Sequence, residues 1–222
     1  MTAPPAVWLP VTLAPAAALP DLPLSLPQRP YPALVRWTGR LILAALGVRL
    51  AGGFADTPRA VLIGWPHTSN LDGIVALAAV AVVGIRPGIA AKHSLFRWGV
   101  GRILRSFGAF PVHRGTAGGT VGQLTNAFAE ATRDERPLWI AVSPEGTRAR
   151  SDGWKTGWHR TAVAAGVPVA VLAFDWGQCR SERRLVALGA VQPSGDLAFD
   201  TEAVEALLAG VVGRHPERAT PA

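Results

Sequence analysis

Ala60-Val61-Leu62-Ile63-Gly64-Trp65-Pro66-His67-Thr68-Ser69-Asn70-Leu71-Asp72 is the stretch that decides the fold. Ala60–Gly64 is a short run of apolar residues with no polar alternation, the pattern of a strand buried on both faces. Pro66 disfavours helix for Trp65, and Ser69 or Asn70 is a good N-cap. From Leu71 the apolar residues continue to Gly84, long enough for a buried helix. The segment therefore reads strand, polar loop, helix, with His67 in the loop and Asp72 in the first helical turn.

The same alternation extends from there to residue 212. Strands are expected at Gly88–Lys92, Ala109–His113, Leu138–Val142, Val167–Phe174 and Arg184–Val191. Helices are expected at Leu95–Phe107, Val121–Asp134 and Gly157–Ala165, and Asp200 is expected to cap a last helix ending near Val212. Val121, Leu124, Phe128 and Ala131 share one helical face. Alternating strands and helices define an α/β class: a mixed, largely parallel central sheet with helices on both faces. In such sheets ligands gather just beyond the carboxyl ends of the strands.

Before Ala60 the chain is different. Residues 1–30 form a Pro-rich arm, with Pro10, Pro15, Pro20, Pro23, Pro27 and Pro30 excluding a regular helix. They lack the basic start of a signal peptide. Residues 31–54 read as an amphipathic helix and linker, an N-terminal helical appendage. Its arginines Arg36, Arg40 and Arg49 suit either a membrane surface or a helix packed on its own domain. Residues 55–215 then form the α/β domain and 216–222 a tail. No apolar run approaches the roughly twenty residues of a membrane span.

The chain has 222 residues, with 22 Lys and Arg against 15 Asp and Glu, a net charge of +7. A basic surface suits an anionic partner or simply solubility. No nucleic-acid-binding module is recognisable, so nucleic acid is not an expected partner. The single Cys179 excludes an intramolecular disulfide. It sits beside Arg180 without an identifiable catalytic partner, and no G-x-S-x-G elbow occurs, so the nucleophile is sought in the substrate.

Two polar clusters follow strands. In the first, His67 and Asp72 are five apart, which in one helix would place them about 140° apart on different faces. A loop that folds back lets the carboxylate accept a hydrogen bond from one imidazole nitrogen, leaving the other as general base. The plainer reading is a core histidine and an acidic residue favouring the helix dipole. The second cluster is Ser143-Pro144-Glu145-Gly146-Thr147-Arg148. Gly146 permits a tight turn, Arg148 offers a planar fork for phosphate, and Glu145 is expected to orient that Arg or bind an acceptor hydroxyl. Lys155 follows shortly after. The plainer reading is a surface Glu–Arg pair of little energetic weight. Lys92 and Arg114, at the ends of two more strands, reach the same rim, so Lys92, Arg114 and Arg148 suit one phosphate dianion. Between them, Leu95–Phe107 mixes apolar residues with Arg97, Arg102 and Arg105, as does a helix on an anionic bilayer or a packed helix with a basic face.

His67-x4-Asp72, Gly108 to Arg114, Pro144 to Arg148, and Val167-Pro168-Val169, in that order, resemble the four motifs of the glycerophospholipid acyltransferase family. The likeness runs from about residue 55 to 176. Pro66 stands where many members carry Asn, His113 where an acidic residue is common, and Val171 where a second Pro is common. The resemblance implies an acyltransferase-like fold, with His67 and Asp72 catalytic. Lys92, Arg114, Glu145, Gly146, Thr147, Arg148 and Lys155 would bind the acceptor and its phosphate. It implies transfer of a fatty acyl group from acyl-CoA or acyl carrier protein to a lysophospholipid, by default 1-acylglycerol-3-phosphate. It further implies no metal, no resident cofactor, and peripheral attachment to the inner, cytoplasmic face of an anionic membrane. Two readings remain beside it: the same chemistry on another lipid or a glycolipid, and a non-catalytic lipid-surface binder.

Overall fold

The computed structural model describes residues 26–28, 31–54, 56–96, 99–112 and 119–221. Seven strands form one sheet: β1 (Arg49–Gly52), β2 (Arg59–Trp65), β3 (Gly88–Lys92), β4 (Ala109–Val112), β5 (Leu138–Val142), β6 (Val169–Asp175) and β7 (Arg184–Val191). Six α-helices accompany them: α1 (Ala33–Leu46), α2 (Asn70–Val83), α3 (Val100–Ser106), α4 (Gly119–Arg133), α5 (Gly157–Ala165) and α6 (Leu197–Leu208). The strand order is β1-β7-β6-β2-β5-β3-β4. Every pairing is parallel except β6 with β7. The mixed, largely parallel α/β sheet is therefore as expected.

The central strands are apolar throughout because both of their faces are covered. On one face Val61 and Ile63 of β2, Ile140 of β5 and Val169 and Val171 of β6 pack with Leu124 and Phe128 of α4, Trp158 of α5 and Val204 of α6. Register aligns Val61 with Ile140 on one side and Val169 on the other. On the opposite face Ala60 and Leu62 alternate outward against Val80 of α2, with Trp139 and the arm residue Leu26. Phe174, Val75 of α2 and Leu43 of α1 continue that layer. The edge strands are short: β1 carries Arg49 and β4 carries Pro111, residue types that blunt a sheet edge.

Three local expectations change. Residues 49–52 are not helix: Gly47 ends α1 in a left-handed cap, and β1 then joins β7 in the sheet. The expected helix over 95–107 is instead a 3-10 turn, His93–Phe96, followed by α3. Gly101 lets the chain fold back there, since a Cβ on it would lie 2.4 Å from the Phe96 carbonyl oxygen. The last helix is capped by Asp196, whose carboxylate accepts the amides of Ala198 and Phe199 at 2.9 and 3.1 Å. Asp200 lies inside its first turn, buried, and accepts from the Ser194 amide.

One side of α1 is packed on its own domain and the other is left exposed. It packs on α2 through Gly39 and Leu43. Its other side leaves Leu34, Trp37 and Leu41 72, 60 and 52% exposed, between the exposed Arg36 and Arg40.

Candidate active site

The carboxyl ends of β2, β5 and β6 are adjacent, and each delivers one part of the site. From β2 the chain passes through Pro66 to His67. Ser69 then caps α2, its hydroxyl accepting the Leu71 amide at 3.1 Å. Asp72, fully buried at the third position of that helix, turns its carboxylate back into the loop. One oxygen, Oδ2, accepts the amides of Thr68 and Ser69 at 2.9 and 2.7 Å. The other, Oδ1, accepts the indole N–H of Trp176, the residue just after β6, at 2.8 Å.

His67 Nδ1 faces the same Oδ2 at 3.7 Å. That is an ion-pair separation, longer than the hydrogen bond expected, because two amides already occupy this oxygen. Nε2 has no hydrogen-bond partner among the described residues. The side chain is 26% exposed and lies beside the Phe174 ring, centroids 6.2 Å apart. Burial lowers its pKa from the usual histidine value, the nearby Arg148 lowers it further, and Asp72 opposes both. The net lowering favours the neutral imidazole, the form able to take a proton.

From β5 comes Ser143–Arg148. Gly146 adopts a left-handed φ of 64°, with the Lys155 side chain laid across it. The Lys155 amide donates to the Pro144 carbonyl at 2.7 Å, closing the loop. Arg148 is exposed and its guanidinium donates to the Asn70 side-chain carbonyl. Thr147 is exposed and its hydroxyl accepts the Ala149 amide at 3.2 Å.

Glu145 departs from expectation. It is 1% exposed, and Arg148 donates to Asn70 rather than to its carboxylate. Oε2 accepts the His67 amide at 2.7 Å and Oε1 the Thr220 amide at 3.0 Å. Burial raises its pKa against the opposing effect of these two amides. Glu145 thus braces the backbone behind the histidine.

Thr220 belongs to a segment that no local pattern singled out. Val212 O accepts the Trp176 amide at 2.8 Å, Gly213 lies against Pro66, and the His215 amide donates to Thr68 Oγ1 at 3.2 Å. The fully buried Thr220 offers its carbonyl to the indoles of Trp65 and Trp154, both at 3.0 Å. The only sequence signal for Trp176 was its place at the end of a strand.

The expected residues thus divide. His67, Asp72, Gly146, Thr147, Arg148 and Lys155 meet around one loop pair, with Glu145 beneath. Lys92 ends β3, separated from β2 by β5; its side chain, like the whole of Arg114, lies outside the described residues. Among the described residues no group of His, Cys, Asp or Glu is arranged to hold a metal ion.

A parallel-centred sheet that presents a histidine, a buried carboxylate and an arginine at its carboxyl edge defines the class. The chain belongs to the acyltransferase family, whose sequence profile matches residues 53–175, more than half of its length. The glycerophospholipid branch of that family is the one the motifs resemble. The crystal structure of the 1-acyl-sn-glycerophosphate acyltransferase PlsC from Thermotoga maritima shares the fold. The TM-score is 0.51 at 18% identity, over 81% of this chain and 80% of that one. No curated protein sequence matches.

Proposed function

We propose that this acyltransferase moves a fatty acyl group from an acyl thioester, acyl-CoA or acyl carrier protein, to the free hydroxyl of a lysophospholipid. The default acceptor is 1-acylglycerol-3-phosphate, as for the Thermotoga protein named above, giving phosphatidic acid. The observation that carries this reading is His67: a partly buried imidazole with Nδ1 facing a buried carboxylate and, among the described residues, no partner on Nε2, beside an exposed arginine.

In the proposed step Nε2 takes the proton of the acceptor hydroxyl as its oxygen attacks the thioester carbonyl. The C–O bond forms, the C–S bond breaks, and the thiolate leaves with the proton returned by the imidazolium. Asp72, 3.7 Å away, attracts the positive charge only as it develops, which favours the transition state over the ground state. Arg148 receives the acceptor phosphate with its planar fork. Lys92 and Arg114 remain candidates for the same anion. Glu145 and the Thr220 segment position the loop.

Peripheral attachment to the inner, cytoplasmic face of an anionic membrane belongs to the same proposal; the exposed Leu34, Trp37, Leu41, Ile74 and Ile103 support contact with a lipid surface, whichever its side. No helix among the described residues is long and apolar enough to cross a membrane.

The test is thiol release by purified protein supplied with long-chain acyl-CoA or acyl carrier protein and a panel of acceptors. Acceptor-dependent release is expected, and His67→Ala should lower it about 10²–10⁴-fold. Release independent of acceptor, or a His67→Ala variant of normal turnover, would remove this assignment.

A further inference from the structure

The second oxygen of Asp72 leads to a different cavity. Through Trp176 Nε1 it is joined to an indole ring against which two guanidiniums lie. Arg183 lies 5.4 Å from the ring centroid and Arg214 5.3 Å. Both line an open cavity of about 350 Å³, with Leu46, Leu71 and Trp176 as its apolar wall. The cavity borders the reaction loop, since Leu71 follows the α2 cap and Arg214 reaches the Ser69 hydroxyl at 3.5 Å.

Among the described residues no carboxylate lies within 4.0 Å of either guanidinium. The neighbouring acids are engaged elsewhere. Asp175 pairs with Arg184 at 2.6 Å, Glu217 with Arg218 and His215, and Glu182 accepts the Gln178 amide at 2.7 Å. The Arg183 guanidinium donates to the Leu46 carbonyl at 2.9 Å. Two like charges thus sit against one indole ring, and both residues line the cavity. Such a wall binds a phosphate ester whose organic remainder rests on the apolar side.

The proposed reaction needs two phosphorylated substrates. Arg148 and Arg214 flank the start of α2, one on Asn70 and the other on Ser69, so they provide two separate anion stations. We infer that the Arg183–Arg214–Trp176 cavity binds the phosphate of the donor's carrier arm, the phosphopantetheine unit common to CoA and carrier proteins. The inference rests on the acyl-transfer reading above, and binding without turnover tests it separately.

Calorimetric titration of the full chain with phosphopantetheine and with pantetheine, which differ only in the phosphate, reads the site directly. Phosphopantetheine and CoA should bind at least about tenfold tighter than pantetheine, less tightly as salt rises. Arg183→Gln/Arg214→Gln should lose that advantage and raise the KM for acyl-CoA more than the KM for the acceptor. Because Arg183 also braces α1, Arg214→Gln alone, at an exposed position, must give a weakening of the same sign. Equal affinity for the two probes, no measurable binding of either, or binding indifferent to both variants overturns the inference. Arginine-dependent binding in a protein that acylates no acceptor would sustain the cavity and refute the reaction. Turnover with arginine-independent binding would do the reverse.

Discussion

Asp72→Asn separates a catalytic carboxylate from a structural one. The side chain accepts three N–H groups, from Thr68, Ser69 and Trp176. An asparagine oxygen can serve either the two amides or the indole, and its NH2 then faces donors on the other side. Leaving one or two buried donors unpaired costs about 1–3 kcal/mol each, so a loss of about 2–5 kcal/mol is expected. For a domain of this size that lowers the melting temperature by about 5–15 °C. Catalysis adds a second effect. At 3.7 Å the attraction between imidazolium and carboxylate is about 2–4 kcal/mol at an intermediate effective dielectric, or about 30- to 1000-fold in kcat. The charge also leaves a signature. Asp72 raises the His67 pKa against burial, so its removal should move the acid limb of kcat/KM to lower pH. Asp200→Asn is the matched control. Asp200 is equally buried and accepts the Ser194 and Gly195 amides and a ring nitrogen of His159 at 2.8 Å, but it touches nothing in the reaction loop. It should destabilise comparably and leave kcat unchanged well below its melting temperature. The assay is thiol release across pH, with melting curves for each protein. An Asp72→Asn variant that melts early yet keeps both kcat and the acid limb would show that the carboxylate is only a helix cap.

Arg148→Ala should raise the KM of a phosphorylated acceptor about tenfold or more, with little effect on a neutral one. Because Arg148 lowers the His67 pKa, the same variant should shift the acid limb upward, opposite to Asp72→Asn, in the same pH series. Glu145→Gln keeps the shape but leaves one oxygen to serve both His67 and Thr220 amides. Kinetics should show kcat falling while the acceptor KM stays constant, and a lowered acceptor affinity would return Glu145 to the binding surface. Trp37→Ser with Leu41→Ser should reduce flotation with anionic liposomes severalfold while shifting stability by only about 0.5 kcal/mol, as read by denaturant melts.

Much of this architecture was legible because the signals are local. β3, β5, β7 and α5 match their expected spans, since each is a short apolar run closed by glycine, proline or charge. β1 was hidden: four residues at an edge carry no alternation, and only pairing with Arg184–Ala187 makes them a strand. Asp200 misled for a related reason. An Asp at the start of a helical pattern signals a cap, but Asp196 takes that place while Asp200 meets His159 from another helix. In the site, the histidine and its carboxylate were readable from spacing and strand position. The inward turn of Glu145 was not, because its partners are backbone amides 78 residues before it and 75 after it. Trp176 and Thr220 owe their roles to tertiary neighbours alone.

The wrap of residues 212–221 has a consequence for how the protein is made. The loop holding His67 is fastened by an amide 147 residues further on in the sequence, and its bracket Glu145 by one 75 residues on. During synthesis the sheet's central strands and both motif loops leave the ribosome well before the segment that clasps them. A nascent chain halted after β7 therefore holds the His67 and Glu145 loops without the later amides that clasp them.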